Sequence, residues 1–196
     1  MSAKIHAETV EYGHGDTVME GYLAYDDAIR EKHPGVMVAH EWTGVGSYVK
    51  RRANELAELG YIAFAADIYG IGVRPKDREE AARVASIYYN DRSLMRARAQ
   101  AGLHLLRNHE LTDKSRIAAI GYCFGSATVL ELARNGADII GVISLHGALA
   151  TPNPQDARNI KAKVLAFHGS KDPFVTQEAV LAFQDEMRKA DVDCRW

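Results

Sequence analysis

Arg116-Ile117-Ala118-Ala119-Ile120-Gly121-Tyr122-Cys123-Phe124-Gly125 carries more of the architecture than any other stretch of this chain. The apolar run up to Ile120 suits a short buried strand. Gly-Tyr-Cys-Phe-Gly then matches the G-x-S-x-G turn, with cysteine where serine usually stands. Glycines two before and two after the central residue let such a turn close without a Cβ clash. Ser126 to Asn135 follows as a buried helix rich in Ala, Leu and Val, stopped at Gly136. A thiol at this turn points outward beside a helix N-terminus, whose partial positive charge favours thiolate. The plain alternative is a buried structural cysteine in a packing turn.

Working outward, strands and helices alternate. Ile5 to Glu11 and Val18 to Tyr25 alternate apolar and polar residues around Gly13-His14-Gly15-Asp16, which predicts a hairpin. Gly35 to Ala39 is a continuous apolar run, as in a buried parallel strand. Ser47 to Leu59 carries Val49, Ala53, Leu56 and Ala57 on one helical face, with Gly60 as its stop. Tyr61 to Ala66 is strand-like. Arg78 to His109 is helical with a break near Asn90-Asp91, and the charges of Arg78-Glu79-Glu80 and Arg92 to Arg98 read as solvated faces. Ile139 to Leu145 and Lys163 to Phe167 are strands. Ala179, Phe183, Met187 and Ala190 mark a helix, and Val192 to Trp196 begins another strand holding Cys194. Repeated βα units predict a mostly parallel sheet with helices on both faces, behind an N-terminal antiparallel hairpin.

The 196 residues make one domain, 1–196, of ordinary globular composition: 47 % apolar, 26 % charged, net charge −2. That balance gives no reason to expect nucleic acid or an anionic membrane as partner. Two cysteines and a polar N-terminus free of any apolar run point to a cytoplasmic setting. In a parallel sheet, ligands bind at the carboxyl ends of the strands. His40, Glu41, Asp67, Cys123, His146 and His168 fall there, with Asp172 just beyond.

With those residues in view, the chain resembles the dienelactone hydrolase family of α/β-hydrolases over nearly its whole length. The resemblance rests on Val38-Ala39-His40-Glu41-Trp42, Ala66-Asp67-Ile68-Tyr69-Gly70, the Gly-Tyr-Cys-Phe-Gly elbow and His168-Gly169-Ser170-Lys171-Asp172-Pro173. It implies an α/β-hydrolase fold that cleaves a small ester or lactone without metal or organic cofactor. It implies Cys123 as nucleophile, Asp172 as the acid of a Cys-His-Asp triad, and Glu41 against the resting thiol. The backbone N–H groups of Phe124 and Trp42 would form the oxyanion hole, and Arg74 and Tyr122 are candidate substrate contacts. Where the family's dienelactone-specific members carry an arginine, four residues after the position of Asp67, this chain has Ile71, so a less charged substrate fits as well as dienelactone.

The family's catalytic histidine follows the next strand, beyond the position of Trp196, and this chain has none after His168. His146 and His168 each precede a glycine at a strand end and read as loop-orienting residues, as does His40. His6, His14, His33, His104 and His109 read as solvated or packing residues. A strand begun at Val192 without a covering helix predicts an open edge, available for pairing in a homo-oligomer, and a domain lacking its C-terminal strand and helix, part of a longer chain.

Three other readings compete. Gly44-Val45-Gly46 with Asp67 imitates a dinucleotide fingerprint, but Val49 stands where Gly or Ala is needed. His40, Glu41, His146, His168 and Asp172 could gather at a metal, yet no compact ligand spacing supports it. The third is a non-catalytic binding protein of the same fold.

Overall fold

The structure, a computed structural model, describes residues 4–196. One eight-stranded sheet runs through it in the order β1 (Ile5–His14), β2 (Thr17–Asp26), β4 (Ile62–Ala66), β3 (His33–Ala39), β5 (Thr112–Tyr122), β6 (Gly141–Leu145), β7 (Lys163–Phe167) and β8 (Cys194–Arg195). β1 and β2 form the antiparallel hairpin, turning at Gly15, whose φ of 56° suits a residue without Cβ. β2 meets β4 antiparallel, and β4, β3, β5, β6, β7 and β8 run parallel.

The sheet's order carries the functional consequence. β3 lies between β4 and β5, so the chain leaves β3 toward one side and β5 toward the other, and a crevice opens at their carboxyl ends. Ala39 pairs with Gly121 at the last register position. His40-Glu41-Trp42 and Cys123 therefore emerge side by side although 81 residues separate Trp42 from Cys123.

α1 (Ser47–Glu58) covers one face, packing Val49, Ala53 and Ala57 on Val36, Val38, Ala63 and Ala65. α2 (Arg78–Asn90), α3 (Arg92–Asn108), α4 (Phe124–Arg134) and α5 (Gln177–Lys189) belong to the larger core on the other side, with Phe64, Leu103, Phe124, Leu130 and Phe183 buried in it. Asp77 caps α2 and Asp91 caps α3, each accepting the backbone N–H three residues on, which explains the break at Asn90-Asp91. A 3-10 turn at Pro154–Asn159 was not legible in the sequence. On the α1 side of the far strands, Leu165 is half-buried and Phe167 is exposed, beside β8 at the sheet edge.

The reading of Arg92 to Arg98 as a solvated face is corrected. Arg98 is buried, donating to Thr17 Oγ1 at 2.8 Å. Arg96 bridges Glu131 and Asp156, each at 2.7 Å. Glu131 in turn accepts from Arg134 at 3.1 Å, and Arg134 clamps both carboxylate oxygens of Glu186 at 2.7 and 2.9 Å. Arg134 also donates to the Leu149 carbonyl at 2.9 Å. This network ties α3, α4, α5 and the loop after β6 together. With Arg134 1 % exposed and Glu131 0 %, removing one partner strands a buried charge. Arg134→Ala is expected to cost about 3–5 kcal/mol, read as the shift in urea unfolding. A loss below about 1 kcal/mol would mean the network is wetted and energetically idle.

Candidate active site

The site is built on the turn from β5 into α4. Cys123 caps α4 with φ 54° and ψ −112°, a conformation side chains adopt only when the surroundings impose it. The surroundings here are backbone and the Ser126 side chain. A Cβ on Gly121 would stand 2.6 Å from Ser126 N, and one on Gly147 2.8 Å from Ser126 Oγ. Cys123 donates its N–H to the Leu145 carbonyl at 3.0 Å. Ser126 Oγ accepts from the Leu145 N–H at 2.9 Å and lies within donating distance of the carbonyls of Gly121 and Leu145. Sequence reasoning passed over Ser126; a hydroxyl inside a buried helix needs a partner, and that was the available signal.

Cys123 lines a cavity of about 880 Å³ with Trp42, Tyr89, His146, Ala148, Asp172 and Phe174 among its walls. Burial pushes the Cys123 thiol pKa up, and the nearby backbone N–H groups of Phe124 and Trp42 oppose that shift. The charges of Glu41 and Asp172 raise it further. The net shift is upward, correcting the expectation that the helix terminus makes this a ready thiolate. The thiolate fraction at pH 7 is then smaller than for a free cysteine and grows as pH rises past the ordinary value. Iodoacetamide is expected to alkylate Cys123 more slowly at pH 7 than it does glutathione. Glu41→Gln, which removes a like charge, should speed that alkylation by roughly an order of magnitude. An unchanged rate would mean that Glu41 does not act on the sulfur.

Asp172 sits on the loop after β7 with its Oδ1 accepting from the Phe174 N–H at 2.8 Å. Cys123, Asp172 and Trp42 thus meet at one cavity, with Phe124 N–H and Glu41 acting on the same sulfur. Arg74 and Tyr122 go elsewhere. Arg74 donates to the carbonyls of Val45 at 3.2 Å and Val73 at 2.8 Å, and its guanidinium lies 3.7 Å from Glu20. The Arg74 side chain also packs on Gly44, 3.2 Å from where a Cβ would stand. Tyr122 packs edge-on against Tyr48 at 5.4 Å, under Arg52, on the α1 side of the sheet.

Among the histidines, His40 is fully buried. Its Nδ1 meets the Glu41 carbonyl and its Nε2 accepts from the Ile68 N–H at 3.2 Å, so both nitrogens are engaged. Burial pushes its pKa down to about 4, which keeps it neutral while it stacks on Phe124. Asp67 binds the N–H groups of Glu20, Tyr69 and Gly70 and shapes the loop after β4. His146, at φ 47°, is exposed and is the histidine lining the cavity among the described residues. His168 is half-buried with its Nδ1 unpartnered. No group of three or more potential metal ligands forms among the described residues, and no helix there is long and apolar enough to cross a membrane.

The family model described as "Dienelactone hydrolase family" matches residues 19–196. A dienelactone hydrolase-like promiscuous phosphotriesterase from metagenomic libraries superposes with a TM-score of 0.92 at 38 % identity, covering 97 % of this chain and 80 % of that one. The structure titled m3DLH gives a TM-score of 0.94 at 38 % identity with the same coverage. A carboxymethylenebutenolidase from Pseudomonas sp. is 29 % identical over 157 residues, covering 76 % of this chain and 65 % of the relative.

Proposed function

The chain belongs to the dienelactone hydrolase family, and from that membership and the chemistry of its site we propose that it cleaves small esters or lactones through the Cys123 sulfur. The observation that carries this is a thiol held at positive φ in a cavity, with the backbone N–H groups of Phe124 and Trp42 close enough to lower its pKa. The thiol resting beside Glu41 and Asp172 stays protonated until substrate displaces that balance. The sulfur then attacks the carbonyl carbon, and the C–O bond breaks to leave a thioester and an alcohol. The Phe124 and Trp42 N–H groups receive the developing oxyanion, each contributing about 3 kcal/mol to the barrier reduction.

Asp172, with one oxygen bound to Phe174 N–H, has a second free to orient a histidine that activates the water for deacylation. His40 is spent on its own loop, and His146 is exposed. Among the described residues no histidine is hydrogen-bonded to Asp172 or Cys123, so acylation is expected to outrun deacylation. The cavity walls are mainly apolar, from Trp42, Tyr89, Ala148, Phe174 and Val175, with Lys171 as a cation at the rim. With Arg74 turned away, an uncharged acyl group fits better than one bearing a carboxylate.

Mixing the protein with p-nitrophenyl acetate tests the reading. Release of p-nitrophenolate should show a burst approaching one equivalent per chain, followed by a slow phase, undiminished by a metal chelator. Loss of the release on chelation would replace this reading with a metal-dependent one.

A further inference from the structure

Three tyrosines surround Phe124, and their hydroxyls have different fates. Tyr69 donates to the Trp42 carbonyl at 3.1 Å, and Tyr88 donates to the Tyr69 carbonyl at 3.2 Å. Both bonds hold the loops together. Tyr89 is the tyrosine that lines the Cys123 cavity. It stands near the end of α2, one residue from buried Tyr88, and the two neighbours on the helix point in different directions. Its ring meets Phe124 edge-on at 5.5 Å and 78°. The Arg92 guanidinium lies over the same ring at 4.9 Å and donates to the Ala150 carbonyl at 3.3 Å. A ring gripped between Phe124 and Arg92 has little freedom to turn, and it lines the cavity that holds Cys123. Burial, then the charge of Cys123, pushes the Tyr89 pKa up to about 12, with Arg92 opposing, and no hydrogen-bonded neighbour contributes. The hydroxyl is therefore a neutral donor throughout the working pH range.

We propose that Tyr89 is a further catalytic residue, donating its hydroxyl hydrogen bond to the leaving oxygen of the ester. This rests on the cysteine reading above. The two backbone N–H groups serve the carbonyl oxygen, so the departing oxygen needs a donor of its own. As the S–C bond forms and the C–O bond breaks, negative charge gathers on the leaving oxygen. The Tyr89 hydrogen bond stabilises that charge, and the proton that neutralises the alcohol comes, through solvent, from the thiol. The hydroxyl itself returns unchanged.

The dependence on leaving group distinguishes this from packing. Tyr89→Phe keeps the ring and its contacts and removes the donor. Single-turnover acylation by p-nitrophenyl acetate, phenyl acetate and trifluoroethyl acetate would be followed in both proteins, together with iodoacetamide alkylation of Cys123. Acylation by p-nitrophenyl acetate, whose leaving group needs least help, should fall about two-fold. Acylation by phenyl and trifluoroethyl acetate should fall ~100-fold, the low end of what a positioned proton donor contributes. Alkylation, which has no leaving oxygen, should change less than about two-fold. An equal fall for all three esters, or no fall, overturns the proposal. A wild-type chain that forms no thioester with any of them overturns the cysteine reading and this inference with it.

Discussion

Replacing Cys123 by alanine is expected to reduce ester cleavage by at least ~10³-fold, to the level of the buffer reaction. Removing a nucleophile that acts as one unit with its surroundings costs far more than removing any single helper. The variant should fold. The elbow is shaped by the approach of Gly121, Gly125 and Gly147 to neighbouring backbone and by the Ser126 hydrogen bonds, and the thiol makes neither contact. Alanine also accepts the same φ of 54° at no greater steric cost than cysteine. Cys123→Ser would be informative beside it. An alkoxide is harder to generate than a thiolate, so a serine facing Glu41 and Asp172 should be nearly as inactive as alanine. Activity retained in the alanine variant would mean that the chemistry lies elsewhere in the cavity.

Gly125→Ala should be among the most damaging single-methyl changes at the elbow. Its Cβ would stand 2.6 Å from the Ala39 carbonyl carbon and 2.8 Å from the His40 carbonyl oxygen, and closer still to the Ala39 oxygen. Those atoms are backbone at the end of β3, and no rotamer relieves the contact. The helix must retreat or the β3 end must move, and that end carries Glu41 and Trp42. Overpacking of this kind costs about 1–3 kcal/mol and more where backbone is struck. The expected result is a loss of at least about 3 kcal/mol in urea unfolding, with Cys123 acylation lost in whatever fraction still folds. The contrasting control is Gly15→Ala in the hairpin turn, where nothing stands within 4 Å of the new Cβ and the cost is only that of φ 56°. If both variants lose the same stability, steric closeness at the elbow is not what holds it.

These two results bear on different parts of what the chain discloses. The elbow was legible because its glycine spacing, its strand and its helix agree, three local signals with one meaning. The meeting of the β3 end with Cys123 was legible too, because strand ends in a parallel sheet share one edge. The thiol's pKa was not. A helix terminus is visible in sequence, whereas the depth of burial and the nearness of two carboxylates depend on how loops pack. Arg92 to Arg98 was misread for a related reason. A run of arginines on a helix looks solvated until Glu131, 35 residues after Arg96, and Asp156, 60 after it, come to meet it. Tyr88 and Tyr89 are chemically identical neighbours. Only the packing around Phe124 separates the one that braces a loop from the one that faces the cavity.

The central claim is that the Cys123 sulfur takes the acyl group. An intact-mass spectrum recorded seconds after mixing with p-nitrophenyl acetate, followed by peptide mapping, tests it most directly. The expected result is one acetyl group per chain, on the peptide carrying Cys123, absent in Cys123→Ala and persisting while free substrate is exhausted. An unmodified chain, or an acetyl group found on another residue and retained in Cys123→Ala, would contradict it.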